Sequence, residues 1–146
     1  LHGMQIIHRD LKSSNVILDD NGHAKWCDFG SAVFISHASS RSKTGHSLRW
    51  LAPELLELIP ADTASDIWAL AMVFFELAAR KIPYHELDDQ QAKNKIVQHQ
   101  TETIPEECQR QAPGFAALIQ RCWAERSLRP KASVVESEMK SLSTAI

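Results

Sequence analysis

The 146-residue chain has little cysteine: Cys27, Cys108 and Cys122 are its only three, and none is spaced as C-x-x-C. An odd number of cysteines in this arrangement does not build a disulfide framework. The seven histidines lack zinc-motif spacings such as H-E-x-x-H, so a dedicated zinc site is not expected. We therefore expect a reducing compartment, the cytoplasm, as the place where the protein works.

A strong charge of one sign and long apolar runs are also missing. The formal net charge of -2 gives no reason to expect a nucleic-acid partner. The longest apolar run, residues 67–79, is interrupted by Glu76, so it predicts a buried helix and no membrane span. No signal peptide is visible at the start. Since the first residue is Leu1, we expect a piece of a longer product, although Met4 could serve as an internal start.

The composition is that of a globular domain, with 44% hydrophobic and 23% charged residues. In its first part, two short apolar runs at residues 16–18 and 24–27 flank the dipeptide Asn21-Gly22. Both of these residues tolerate positive φ, so the pattern predicts a small β-hairpin whose second strand leads to Asp28. The polar stretch at residues 31–47 has little periodicity and is predicted to be a mobile loop.

The second part of the chain has helical periodicity. Pro53 is expected to start a short helix, and residues 63–66 resemble a capping box before a long helix that is apolar on nearly every face. Further helices are predicted over residues 89–100 and 113–123, and after a second capping box at residues 133–136. The expected fold class is therefore mainly α with a small β-hairpin.

Three short motifs occur in order along the chain. The first is HRDLKSSN at residues 8–15, followed by DFG at residues 28–30 and APE at residues 52–54. Phosphoryl transfer needs such groups together, because metal ions must neutralise the transferred phosphoryl group. Carboxylate and amide oxygens hold Mg²⁺, a carboxylate can accept a hydroxyl proton, and a lysine supplies positive charge.

With these motifs the chain resembles the C-terminal lobe of the eukaryotic protein kinase family over essentially all its residues. The resemblance implies ATP and Mg²⁺ as cofactors and a protein substrate with a Ser or Thr acceptor. It implies that Asp10 is the catalytic base and that Lys12 contacts the γ-phosphate. Asn15 and Asp28 would hold the metal ions.

The same resemblance implies regulatory and architectural roles. Arg9 would contact a phosphorylated residue in the loop at residues 31–47. The candidate phosphosites there are Ser36, Ser39, Ser40, Ser42 and Thr44. Glu54 and Arg129 would form a buried ion pair, and Asp66 would brace the backbone of the catalytic loop. In domain terms, residues 1–146 would be a partial kinase domain with catalytic loop 8–15, activation segment 28–54 and helical subdomain 63–146.

The acceptor type also follows from the resemblance. Lys12, two residues after the base, is similar to the serine/threonine pattern. RWLAPE at residues 49–54 and CW at residues 122–123 are more similar to the tyrosine-kinase-like group of serine/threonine kinases.

The chain departs from the family pattern in several places. Ser47 stands where Thr is usual, and its hydroxyl keeps a hydrogen bond to Asp10 and Lys12 possible. His46 and Ala71 each replace a usual glycine. No G-x-G-x-x-G occurs in the 146 residues, so an N-terminal lobe over the ATP phosphates is not expected here, and the isolated chain is expected to be inactive.

Two other functions stay open on the sequence. The chain could be a non-catalytic, truncated kinase lobe that acts as a binding or decoy module. A kinase for small molecules is the weaker alternative, because APE and the long loop before it are typical of peptide acceptors.

Overall fold

The computed structural model describes residues 1–37 and 47–143, and in that part of the chain it is mainly α-helical with two small antiparallel sheets. The strands are β1 (Ile6–Ile7), β2 (Val16–Leu18), β3 (Ala24–Trp26) and β4 (Val33–Phe34). The helices are α1 (Pro53–Leu56), α2 (Thr63–Ala79), α3 (Asp89–Val97), α4 (Glu106–Gln111), α5 (Pro113–Cys122) and α6 (Ala132–Ser143). The predicted fold class is confirmed.

The hairpin of β2 and β3 is also confirmed, with Val16 opposite Trp26. Its turn differs from the prediction, because only Gly22 of the Asn21-Gly22 pair has positive φ, at 79°. The Asp19 carboxylate accepts hydrogen bonds from the backbone N–H groups of Asn21 and His23 at 3.0 and 2.9 Å. This side-chain cap stabilises a longer turn in which one left-handed residue is enough.

The sequence predicted an irregular loop over residues 31–47, but the start of this segment contains a strand. Strand β4 pairs with β1 in the register Ile6 opposite Phe34 and Ile7 opposite Val33. Two-residue strands are too short to show a period, so the partner far along the chain decides the conformation. The pairing holds the segments before His8 and after Gly30 side by side.

The long helix α2 begins at Thr63, and its N-cap is Asp62. Asp62 Oδ1 accepts from the backbone N–H of Ser65 at 3.1 Å, and Ser65 Oγ faces the backbone N–H of Asp62 at 3.4 Å. The predicted capping box at residues 63–66 is therefore wrong by one position. Its last member, Asp66, binds the backbone N–H groups of His8 and Arg9 with its carboxylate and does not serve as a cap.

Helix α2 forms the centre of the core, as its apolar composition predicts. Trp68 and Met72 are at most 1% exposed and pack in one cluster with Leu118 and Ile119 of α5. At its other end α2 ends at Ala79, and its C-cap residue Arg80 has a φ of 53°. No helix in the described part of the chain is long and apolar enough to span a membrane.

The outer helices follow the sequence prediction less closely. Helix α3 ends at Val97, before the predicted residue 100, and His99 has a φ of 55°. Helix α6 begins at Ala132, so Ser133 lies in its first turn and not at the N-cap. Helix α4 was not predicted, because it has no buried residue and therefore no apolar period.

Candidate active site

Asp66, at the start of α2, holds the backbone of the first two residues of the HRD motif. Its Oδ2 accepts from the backbone N–H of His8 at 2.8 Å, and its Oδ1 accepts from that of Arg9 at 2.9 Å. His2 Nε2 lies 2.9 Å from the same Oδ2. Asp66 is 2% exposed, so these bonds replace the water that its charge has lost. The expected contact of Asp66 with this backbone is confirmed, and the role of the segment as a catalytic loop stays a prediction.

His8 connects this loop to the hairpin. Its ring is fully buried, Nδ1 accepts from the backbone N–H of Asp10 at 3.3 Å, and Nε2 lies 3.0 Å from the carbonyl of Cys27. A carbonyl only accepts, so Nε2 is the donor of this pair and Nδ1 is the acceptor. Phe29 packs on the ring at a centroid distance of 5.0 Å. With both nitrogens bonded to backbone groups, His8 positions Asp10.

Asp10, Lys12 and Ser47 form a triangle of polar contacts. Ser47 Oγ donates to Asp10 Oδ1 at 2.5 Å and accepts from Lys12 Nζ at 2.9 Å. Lys12 Nζ lies 3.3 Å from Asp10 Oδ2, and the two side chains are 17% and 18% exposed. The triangle presents a carboxylate and an ammonium group to one small region of the surface. Such a pair can accept a proton and bind a phosphate oxygen.

Asn15 is also held by Asp10. Its Nδ2 donates to the Asp10 carbonyl at 2.8 Å and to Asp10 Oδ2 at 3.3 Å. Because the amide nitrogen faces Asp10, the amide oxygen is the atom that Asn15 can offer to a ligand. The backbone carbonyl of Asn15 accepts from the N–H of Cys27 at 2.9 Å, which brings the neighbouring Asp28 to the same end of the hairpin.

Asp28 is exposed and has a φ of 58°, a conformation that Asp adopts more readily than most residues. Its Oδ1 accepts from the backbone N–H of Gly30 at 3.2 Å. Within residues 1–37 and 47–143, no group of three or more His, Cys, Asp and Glu side chains could hold a metal by itself. An amide oxygen and a carboxylate fit Mg²⁺ that takes its remaining ligands from water and phosphate oxygens.

The predicted regulatory residues are only partly within the structure. Arg9 Nε donates to the carbonyl of Ser31 at 2.5 Å, which places its side chain at the start of the predicted regulatory loop. Ser36 is exposed, with Oγ 3.1 Å from His37 Nδ1. The remaining candidate phosphosites lie outside the described residues: Ser39, Ser40, Ser42 and Thr44. Their roles stay predictions.

The APE segment is fixed to the helical core by a buried ion pair. Arg129 donates to Glu54 through Nη1 at 2.6 Å and through Nη2 at 2.9 Å, and the two side chains are 2% and 6% exposed. Ser65 Oγ donates to Glu54 Oε1 at 3.1 Å, and the Arg129 guanidinium lies 5.0 Å from the centre of the Trp68 ring. The expected pairing of Glu54 with Arg129 is confirmed.

Two further polar residues organise this region, and the sequence reasoning missed both. Glu76, near the end of α2, accepts from Ser13 Oγ at 2.7 Å and from Trp50 Nε1 at 2.8 Å. A single charge that interrupts an apolar helix was the signal that could have identified it.

Arg49 is the second missed residue, and it joins the segment before APE to the turn after α2. Its guanidinium donates to the carbonyls of Pro83 at 3.1 Å, Leu87 at 2.8 Å and Tyr84, and to the Asp89 carboxylate at 3.1 Å. Most of its partners are backbone carbonyls, which leave no trace in a sequence.

The chain matches one protein family, described as the protein kinase domain, over residues 1–138. It is 33% identical over 132 residues to the serine/threonine/tyrosine-protein kinase HT1 of Arabidopsis thaliana, covering 89% of this chain and 33% of that protein. It is 36% identical over 131 residues to cell division control protein 7 of Schizosaccharomyces pombe, covering 90% of this chain and 12% of that protein.

A third relative is the mitogen-activated protein kinase kinase kinase zak-1 of Caenorhabditis elegans, 36% identical over 120 residues. That alignment covers 81% of this chain and 16% of the relative. The chain therefore spans about a third or less of the length of these relatives.

Proposed function

Because the chain belongs to the protein kinase domain family, we propose that it is the catalytic-loop part, the C-terminal lobe, of a protein serine/threonine kinase. The observation that carries the proposal is the triangle of Asp10, Ser47 and Lys12. In this triangle the proposed base Asp10 and the cation Lys12 contact each other, and both contact Ser47 of the segment before APE.

In the proposed reaction, Asp10 accepts the proton of a Ser or Thr hydroxyl while the hydroxyl oxygen bonds to the γ-phosphorus of ATP. The bond between that phosphorus and the oxygen of the leaving ADP breaks in the same displacement. Lys12 binds a γ-phosphate oxygen and offsets its negative charge. Asn15 and Asp28 would hold Mg²⁺, which neutralises charge on the phosphates when it is bound.

The acceptor class rests on the sequence and on the relatives. The residues Lys12-Ser13-Ser14 after the base are similar to the serine/threonine pattern, and one of the relatives named above is a serine/threonine/tyrosine-protein kinase by its name. We assign the chain to the tyrosine-kinase-like group because of RWLAPE at residues 49–54. The three cysteines are free thiols, which suits the proposed cytoplasmic location.

The test is phosphoryl transfer by the whole protein that contains these residues, with Asp10→Asn as the variant. We expect transfer to a protein acceptor to fall by about 10² to 10⁴, because the general base is lost, while ATP binding persists. Asp20→Asn, an exposed residue of the hairpin turn, is the matched control and should keep wild-type activity.

Full activity of Asp10→Asn would overturn this assignment. A wild-type protein that neither binds ATP nor transfers phosphate would instead favour the alternative, a non-catalytic kinase lobe that acts as a binding or decoy module.

A further inference from the structure

The turn of the hairpin between β2 and β3 contains the dipeptide Asn21-Gly22, in which an exposed side-chain amide directly precedes a glycine. A Cβ built on Gly22 would meet no atom within 4 Å beyond its chain neighbours. No neighbouring segment therefore crowds this side of the peptide bond between Asn21 and Gly22. Asparagine is also among the residues of proteins that are chemically labile.

Such a pair can react without an enzyme. The backbone nitrogen of Gly22 gives up its proton to water and bonds to Cγ of Asn21, while the bond from Cγ to the side-chain nitrogen breaks and ammonia leaves with a proton from water. The cyclic imide that results takes up water at either of its carbonyl carbons and opens to aspartate or to isoaspartate. The net reaction consumes water and releases ammonia, with no oxidation or reduction.

The folded turn holds the reacting nitrogen in another contact. The backbone N–H of Gly22 donates to the Asp19 carbonyl at 2.8 Å, and the backbone N–H of Asp19 donates to the His23 carbonyl at 3.0 Å. Asp19 Oδ1 accepts from the backbone N–H groups of Asn21 at 3.0 Å and His23 at 2.9 Å. Because the Gly22 proton is held in a hydrogen bond, the turn must open before the imide ring can close.

Asp19 is itself held in place from the second strand of the hairpin. Its Oδ2 lies 2.9 Å from Lys25 Nζ and 3.4 Å from His23 Nδ1. The hydrogen bond from Lys25 is the main reason that the pKa of Asp19 lies below its usual value, so the carboxylate is ionised at neutral pH. An ionised carboxylate accepts on both oxygens, as these contacts require.

We propose that Asn21 is a latent site of spontaneous deamidation, which the hydrogen bonds of Asp19 protect in the folded hairpin and which reacts when the turn opens. The product places a further negative charge in the turn, and isoaspartate also adds a methylene group to the backbone. Asn15 precedes β2 and Asp28 follows β3, so the modification falls on the hairpin between the two proposed metal ligands. The inference does not depend on the proposed kinase function.

The experiment follows the side-chain amide of Asn21 by peptide mapping with mass spectrometry while the whole protein is incubated at neutral pH. Asp19→Ala removes the carboxylate that holds the turn and keeps the Asn21-Gly22 pair. We expect Asn21 to deamidate roughly two- to ten-fold faster in this variant than in the wild type, as for a net loss equal to one hydrogen bond. The wild type unfolded in guanidinium chloride should react faster still.

Two controls keep the test sharp. Asn94 is an exposed asparagine of α3 that is followed by Lys95, and it should keep its amide over the same period in the folded protein. Lys25→Ala is a milder variant that should fold even where Asp19→Ala does not, because Lys25 is exposed and only its contact with Asp19 Oδ2 is lost. It should accelerate the reaction less, in the same direction. Isoaspartate among the products identifies the cyclic imide, since direct hydrolysis of the side chain gives aspartate alone.

An amide of Asn21 that lasts as long as that of Asn94 in the unfolded chain would overturn the inference, and so would a product without isoaspartate. Equal rates at Asn21 in the folded wild type and in the unfolded chain would also overturn it, because the hydrogen bonds of Asp19 would then protect nothing. A wild-type protein without phosphoryl transfer would overturn the proposed function and leave this inference intact.

Discussion

The part of the chain that carries the proposed chemistry and the part that carries the core are built differently. Within residues 1–37 the buried residues are Ile7, His8, Leu11 and Asn15, and the strands have two or three residues each. Helix α2 alone has nine buried residues. The first region has too little apolar surface of its own to hold a shape, so its geometry depends on polar contacts with the second.

Among the described residues, most hydrogen bonds between the two regions go to charged groups at the two ends of α2. Asp66 at its start binds the backbone before Asp10, and Glu76 near its end binds Ser13 and Trp50. A rigid helix is a better support for such groups than a loop, because its own packing fixes the side chains. Changes in the core should therefore cost stability, and changes at these contacts should cost activity.

The largest effect on stability is expected from Arg129→Ala. The substitution leaves the Glu54 carboxylate buried without its cation, and breaking one side of a buried pair costs about 3 to 5 kcal/mol. The free energy of unfolding from chemical denaturation of the whole protein measures it. Arg126→Ala, which breaks the half-exposed pair with Asp62, is the control and should cost less than about 1 kcal/mol. Similar costs for the two variants would contradict this view of the core.

A smaller effect is expected in the hairpin from Gly22→Ala. Gly22 has a φ of 79°, and a Cβ added to it would meet no atom within 4 Å beyond its chain neighbours. The cost is therefore the backbone strain of an L-residue alone, about 1 kcal/mol. Gly3 also has room for a Cβ and does not have a positive φ. Gly3→Ala should therefore leave the free energy of unfolding unchanged. A Gly22→Ala variant as stable as Gly3→Ala would show that the turn is not held in its left-handed conformation.

The smallest effect is the pH dependence of the Asp62 cap. Burial raises the pKa of Asp62, but the hydrogen bonds and charge of Arg126 and the N–H of Ser65 outweigh burial, so the pKa lies below the usual 3.8. A lowered folded pKa adds stability above pH 3.8, and this stability is lost as the pH falls through the folded pKa. Asp62→Asn keeps an N-cap side chain and removes the charge.

We expect Asp62→Asn to be less stable than the wild type by less than about 1 kcal/mol at pH 7, because the pair with Arg126 is more than a third exposed. The difference should shrink below pH 3.8. Denaturation curves of both proteins at several pH values measure this difference in the free energy of unfolding. A difference that grows as the pH falls would contradict the lowered pKa of Asp62.

Local patterns in the sequence predicted more than the contacts between distant segments. The motifs named Asp10, Lys12, Asn15 and Asp28 as candidate site residues, whose roles stay predictions, and the apolar run predicted α2 as the core helix. The N-cap of α2 was placed one residue late because Asp66 binds a backbone segment 57 and 58 residues before it in the chain. No local pattern carries that information.

The same reason explains what was missed elsewhere. Strand β4 is paired only because β1 lies beside it, and Glu76 is important only because Ser13 and Trp50 reach it from distant segments. Helix α4 was not predicted for a different reason. It has no buried residue, so its sequence shows no apolar period. Long-range polar contacts and helices without a buried residue are the two features that periodicity does not reveal.

The most direct test of the dependence of the first region on the second is amide hydrogen exchange at His8 and Arg9 in the wild type and in Asp66→Asn. An Asn side chain has one acceptor oxygen for two backbone donors, so we expect exchange at these amides to rise roughly ten-fold or more. The amide of Trp123, bonded to the Ile119 carbonyl in the core, should be unchanged. Equal exchange at His8 and Arg9 in both proteins would contradict the account.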